Sequence, residues 1–82
     1  MERDVTQILS AATDSVSLIN GVNDGSWNVE GMEQSEINNM VQRNVEHLEI
    51  ILAYEEVVAD SSDKSSYNSA ISTGKSYISS NS

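Results

Sequence analysis

Residues 37–52 read Ile-Asn-Asn-Met-Val-Gln-Arg-Asn-Val-Glu-His-Leu-Glu-Ile-Ile-Leu and carry the clearest helical pattern in the chain. Apolar side chains recur there every three or four residues, which is the spacing of one face of an α-helix. The periodicity continues on both sides and predicts a long helix over about 35–60, with Ser35 as its N-cap. The stripe is wide enough to contact two neighbours, so we expect the central helix of a three-helix unit. Its apolar positions are Ile37, Met40, Val41, Val45, Leu48, Ile51, Leu52, Tyr54 and Val58.

A shorter stripe of the same kind precedes this helix. Residues 4–20 place apolar side chains three and four positions apart, which predicts a first helix. We expect it to end at Asn20-Gly21, because glycine readily adopts the left-handed conformation that closes a helix. Residues 21–34 hold three of the four glycines and are expected to form a long loop. Trp27 is expected to pack this loop against the helices.

The C-terminal segment is rich in serine, a composition that is typical of a flexible tail. Its apolar residues nevertheless fall at i, i+3, i+4, i+7, i+10 and i+11 from Tyr67, which predicts a third helix over about 63–79. Ala70 and Gly74 lie on this stripe, and such small residues predict a close approach to the central helix. The sequence therefore predicts one small all-α domain over residues 1–82, built from three helices.

The composition limits the possible partners. The chain has 82 residues, no cysteine and a net charge of −9, so neither a disulfide nor a thiolate metal site can form. Residues 1–60 carry twelve acids against two bases, and such a surface repels nucleic-acid phosphates and anionic membranes. No apolar run approaches the roughly 20 residues of a membrane span, and the charged start Met1-Glu2-Arg3-Asp4 is unlike a signal peptide. We expect a cytoplasmic protein that binds neither nucleic acid nor membrane.

No motif supplies the residues that catalysis or cofactor binding requires. Gly74-Lys75-Ser76 matches the end of a phosphate-binding loop, but Ser69 occupies the position of that motif's other glycine. His47 is the single histidine, and no second histidine or cysteine exists to share a metal ion with it. We therefore expect no enzymatic activity, no cofactor and no metal.

Asn44 lies within or beside the apolar stripe of the central helix, and two interpretations remain open. A polar residue in the stripe would specify helix register or oligomeric state. At the edge of the stripe it would simply be solvated.

Three segments together resemble small proteins of T4-like marine phages, especially cyanophages. They are Asp24-Gly-Ser-Trp27, Met40-Val-Gln-Arg-Asn-Val-Glu-His-Leu-Glu-Ile-Ile-Leu52 and Ser69-Ala-Ile-Ser-Thr-Gly-Lys-Ser-Tyr77. The resemblance implies a phage-encoded accessory or structural protein that acts in the cytoplasm of an infected bacterium or in a virion. It carries no functional residues over to this chain.

The sequence favours a non-enzymatic helical interaction or accessory protein that assembles with itself or with a larger protein partner. A core of this size stabilises only about 3–5 kcal/mol by itself. Two shorter helices are also expected to leave part of the central stripe uncovered. We therefore expect a homodimer. The expected partner or subunit contacts are Trp27, Met40, Ile51 and Tyr54.

The alternative is an acidic antagonist that mimics the charge of a nucleic acid and binds a basic host protein. Mimicry of this kind requires acids in a regular, exposed row. The candidates for that row are Glu33, Glu36, Glu46, Glu49 and Asp60.

Overall fold

The computed structural model describes residues 5–54 and 61–81, which form three α-helices and no strand. Helix α1 spans Val5–Asp24, α2 spans Gln34–Tyr54 and α3 spans Ser61–Ser80. Each helix packs against the other two. The predicted all-α, three-helix arrangement is confirmed. The predicted extension of the central helix to residue 60 lies outside the described residues.

Helix α1 runs four residues further than expected, so the predicted end at Gly21 is wrong. Gly21 is a packing position: a Cβ added there would lie 3.1 Å from Cε3 of Trp27. The helix ends instead at Asp24, and the next residue, Gly25, has the left-handed φ of 85° that a helix terminus favours. The additional turn brings Val22 into the core.

Helix α2 begins at Gln34, so Ser35 lies inside its first turn and is not the N-cap. Glu33 occupies the cap position, where its carbonyl accepts a hydrogen bond from the Ile37 N–H at 3.0 Å. Its own N–H donates to Oε1 of Glu36 at 3.4 Å, in the manner of a capping box. The Glu36 carboxylate also lies near the positive end of the helix dipole.

The predicted central stripe forms the middle of the core. Val41, Val45, Leu48 and Ile51 of α2 are completely buried. With 20 residues each, α1 and α3 are nearly as long as the 21-residue α2 and cover its stripe on two sides. In the described part of the stripe only Met40 and Leu52 are half-buried rather than buried, and the side chains of Tyr54 and Val58 lie outside the described part of the structure. The other buried apolar residues are Ala12, Ile19, Val22, Ile37, Tyr67 and Ala70.

Helix α3 packs through the stripe that its sequence predicted, despite its serine content. Tyr67, Ala70 and Gly74 are buried, and Ile71 and Ile78 are half-buried against the core. Serine has a lower intrinsic helix propensity than alanine, so tertiary packing is what holds this helix together. The periodicity predicted the structure correctly, and the composition did not.

Candidate interaction site

The connection between α1 and α2 holds the side chain of Trp27 at the surface. The Trp27 N–H donates a hydrogen bond to the carbonyl of Gly21 at 3.0 Å. The Trp27 Cβ lies beside the glycine, only 3.2 Å from where a Cβ of residue 21 would be. Trp27 nevertheless remains 40% exposed. The predicted packing of Trp27 on the helices is therefore only partial, and much of the indole is accessible.

Local hydrogen bonds give the loop around Trp27 a defined shape. The Ser26 N–H donates to Oδ1 of Asp24 at 2.9 Å, and the Glu30 N–H donates to Oδ1 of Asn28 at 3.0 Å. Both are turns of the type in which an Asp or Asn side chain substitutes for a backbone acceptor. These two turns lie on either side of Trp27 in the sequence and give its backbone a defined course.

The surroundings of this loop are acidic. Asp24, Glu30 and Glu33 are all exposed, and no lysine or arginine occurs in residues 4–42. Hydrogen bonds from the side chain and the backbone of Ser26 lower the pKa of Asp24 below its ordinary value of 3.8, so this carboxylate is ionised at neutral pH. An exposed aromatic side chain is thus flanked by negative charge.

An open groove of about 510 Å³ runs along the first half of α2. The groove is lined by two methionine thioethers, two asparagine amides, one carboxylate and one guanidinium. It therefore combines flexible apolar groups with charges of both signs. Among the residues that the structure describes, Arg43 has no ion-pair partner. The lining residues are Met32, Glu36, Asn39, Met40, Arg43 and Asn44.

A polar network joins α1 to α2 beside this groove. Oγ of Ser15, a residue only 2% exposed, lies 2.9 Å from Oδ1 of Asn44 and 2.9 Å from Nδ1 of His47. Nδ2 of Asn44 donates to the carbonyl of Met40 at 2.8 Å. Asn44 is therefore not simply solvated: it ties α2 to α1, which agrees with a role in helix register.

The direction of these hydrogen bonds determines what the network can do. Because the Asn44 amide nitrogen points at the Met40 carbonyl, its oxygen faces Ser15 and receives the single hydroxyl proton. Ser15 Oγ then accepts from Nδ1–H of His47. The imidazole is a donor to this serine, so it cannot act as the general base of a serine nucleophile.

The four residues expected to contact a partner or a second subunit differ in their exposure. Trp27 is exposed on the loop, and Met40 is half-buried in the lining of the groove. Ile51 is completely buried inside the chain, so it is a core residue and not a surface contact. The side chain of Tyr54 lies outside the described part of the structure.

The acids proposed for nucleic-acid mimicry do not form one row. Glu36 and Glu49 are thirteen positions apart, which at 3.6 residues per turn places them about 140° apart around α2. Glu49 also pairs with Nζ of Lys75 on α3 at 3.1 Å. Asp60 lies outside the described residues. The described acids are thus spread around the bundle.

Comparison with protein-family models, with curated proteins and with solved structures gave no match. Within residues 5–54 and 61–81, no three histidine, cysteine or acidic side chains come together in a way that could hold a metal ion. In the same part of the chain, every helix is too short or too polar to cross a lipid bilayer.

The burial of Ser15 was not anticipated, although the sequence carries a signal for it. Ala12, Ser15, Ile19 and Val22 follow one another at steps of three, four and three residues, so they share one face of α1. All four are buried. The apolar pattern alone does not predict that Ser15, the one polar residue on that face, is buried as well.

Proposed function

We propose that this chain is a non-enzymatic interaction module that docks on a basic segment of a larger protein. The docking surface consists of Trp27, Asp24, Glu30 and Glu33 and is called the Trp27 surface below. The observation that carries the proposal is the indole of Trp27, which is anchored on Gly21 yet 40% exposed, on a loop closed by its own hydrogen bonds.

The chemistry of this surface suits a partner rich in arginine or lysine. Tryptophan is enriched among the residues that dominate binding energy at protein interfaces. Its ring attracts a guanidinium or ammonium group by a cation–π interaction. Exposed carboxylates on either side of Trp27 would steer a basic segment towards the indole and would repel an acidic one.

This proposal agrees with the phage origin that the sequence resemblance implies. A phage accessory protein would use such a surface to engage a host or virion protein. Mimicry of a nucleic acid has less support, because the described acids do not form a row. Docking through one aromatic side chain, as proposed for Trp27, does not require the acids to form a row.

A peptide titration tests the proposal directly. The single tryptophan of the chain reports binding through its own fluorescence. The probe is a decapeptide of alternating arginine and alanine, and the same peptide with glutamate in place of arginine is the reference. We expect the arginine peptide to shift and quench the emission and to bind more weakly as salt is raised. Equal responses to both peptides would contradict the proposal.

Two double variants separate the Trp27 surface from the net charge. Glu30→Gln/Glu33→Gln removes two charges beside Trp27, and Glu46→Gln/Glu49→Gln removes two charges with the same spacing on α2. Only the first variant should weaken binding, by up to about tenfold if each exposed ion pair contributes about 0.2–1 kcal/mol. Equal weakening by both would mean that the peptide responds to overall charge. The proposed surface would then be wrong.

A further inference from the structure

Helix α2 carries a second heptad-spaced stripe beside the one that forms the core, and its Met40 and His47 are half-buried. Glu36, Met40, Arg43, His47 and Ile50 follow one another at steps of four, three, four and three residues. At 3.6 residues per turn they lie within an arc of about 80°. None of the five is buried, and Ile50 is 47% exposed. Such spacing is typical of a seam between two packed helices. These five residues are called the outer stripe below.

We infer that a second copy of this chain packs the first half of its outer stripe, Glu36 to Arg43, against the same segment of this one. The two α2 helices would run antiparallel about a two-fold axis beside Met40, with Glu36 of each copy paired to Arg43 of the other. The contact goes beyond the proposed docking function and does not depend on the Trp27 surface.

The outer stripe carries one acid, Glu36, and one arginine, Arg43, so the stripes of two copies can be complementary in charge. Glu36 and Arg43 are seven residues apart, about 10.5 Å along the helix axis. When two such helices run antiparallel about their midpoint, each carboxylate meets a guanidinium and both pairs form together, as two-fold symmetry requires. Arg43 has no ion-pair partner among the described residues of its own chain. Its guanidinium can therefore pair with a second copy without breaking an internal bridge.

Met40, the apolar residue between Glu36 and Arg43, lies where this arrangement needs it. Met40 lies midway between Glu36 and Arg43, so the two copies of its side chain would meet at the axis. The groove that Met40 lines with Met32 offers them about 510 Å³ of open space. Methionine fills irregular spaces of this kind well because its side chain is unbranched and flexible.

Two sources of repulsion oppose the dimer, and both are limited. Glu46 lies near the seam, but Nε2 of Gln42 donates to its Oε1 at 3.0 Å and draws it towards one side of the helix. Each chain carries a net charge of −9. At physiological salt the Debye length is about 8 Å, so charges on the far sides of the two bundles are largely screened.

Charge reversal tests the pairing. Sedimentation equilibrium of the wild type from 10 µM to 1 mM in 0.15 M salt should give a mass that rises towards twice that of the chain. Glu36→Arg and Arg43→Glu each place like charges opposite one another at both pairs. Each should raise the dimer dissociation constant at least about tenfold. The double variant Glu36→Arg/Arg43→Glu restores both pairs with their signs exchanged, and should dimerise as the wild type does.

The controls distinguish this seam from other modes of association. The swap Glu49→Lys/Lys75→Glu exchanges charges at the internal bridge of 3.1 Å and should leave dimerisation unchanged, as should Trp27→Ala. Far-UV circular dichroism verifies that each variant is folded. Arg43→Glu and Met40→Lys leave the N-terminal cap of α2 intact and should also disrupt the dimer. A wild type that stays monomeric at 1 mM, or a double variant that stays as weak as the single ones, would overturn the proposal.

Discussion

Gly74 of α3 lies so close to Val45 of α2 that a Cβ added to the glycine would overlap Cγ2 of the valine. The same Cβ would come within 3.3 Å of Cγ1 of Val41 and within 3.4 Å of Cγ2 of Ile19 on α1. Gly74 therefore marks the point at which all three helices meet. Because glycine has no side chain, α3 can approach the other two helices this closely.

Replacement of Gly74 by alanine should destabilise the fold. Overpacking by one methyl group typically costs about 1–3 kcal/mol, and the higher helix propensity of alanine offsets up to about 1 kcal/mol of this. We expect a net loss of about 1–2 kcal/mol in the free energy of unfolding, measured by urea denaturation. Ser72→Ala, at an exposed position of the same helix, should leave the stability unchanged or raise it slightly. If Gly74→Ala is as stable as Ser72→Ala, the close contact does not exist.

Replacement of Ser15 by alanine should also destabilise the fold, for a different reason. It leaves the Asn44 side-chain oxygen and the His47 Nδ1–H without their partner in a partly buried site. An unsatisfied buried group costs about 1–3 kcal/mol. The matched control is Ser17→Ala, which changes an exposed serine of α1 and should alter the stability by less than about 0.5 kcal/mol.

The same network determines the tautomer of His47. Nitrogen NMR of the neutral ring, at alkaline pH, should find the proton on Nδ1. In Ser15→Ala the acceptor is lost, so the proton should move partly to Nε2. A neutral ring that is protonated on Nε2 in the wild type would contradict the assigned direction of the hydrogen bonds.

Replacement of Gly21 by alanine should release Trp27 from its anchor without unfolding the chain. The new Cβ would lie 3.1 Å from Cε3 of the ring and 3.2 Å from its Cβ, closer than ordinary contacts, so the indole must move outwards. We expect the tryptophan emission to shift to the red and acrylamide to quench it more efficiently, while far-UV circular dichroism stays helical. Asn20→Ala, at the neighbouring exposed position, should leave the emission unchanged.

The turn at Asp24 should respond to acid with a defined sign. Hydrogen bonds from Ser26 hold the pKa of Asp24 below 3.8 in the folded chain. The stabilisation by this carboxylate is therefore complete above about pH 4 and is lost as the pH falls through the folded pKa. Carbon NMR titration of the Asp24 carboxyl should show the lowered pKa, and Ser26→Ala should raise it. An unchanged pKa in Ser26→Ala would exclude the serine side chain as its cause.

The fold class could be predicted from the sequence because helix periodicity is a local property. Apolar residues at steps of three and four on three segments predicted three helices, and they did so even where serine dominates the composition, as around Tyr67 and Ala70. The breadth of the α2 stripe predicted that α2 would contact two neighbouring helices, as it does. The role of Gly74 at a close approach also followed from its place on a stripe.

The roles of the glycines and of the buried polar residues depend on contacts between elements and could not be predicted from the sequence. Gly21 was predicted to end α1, but it lies inside the helix and packs against Trp27. The residue with the left-handed φ that follows the helix is Gly25. Ser15 is buried only because Asn44 and His47 of another helix satisfy its hydroxyl. Ile51 was expected at a subunit contact, but it is completely buried within the chain. Each outcome depends on a contact with another element of the fold, and such contacts cannot be read from the spacing of apolar residues.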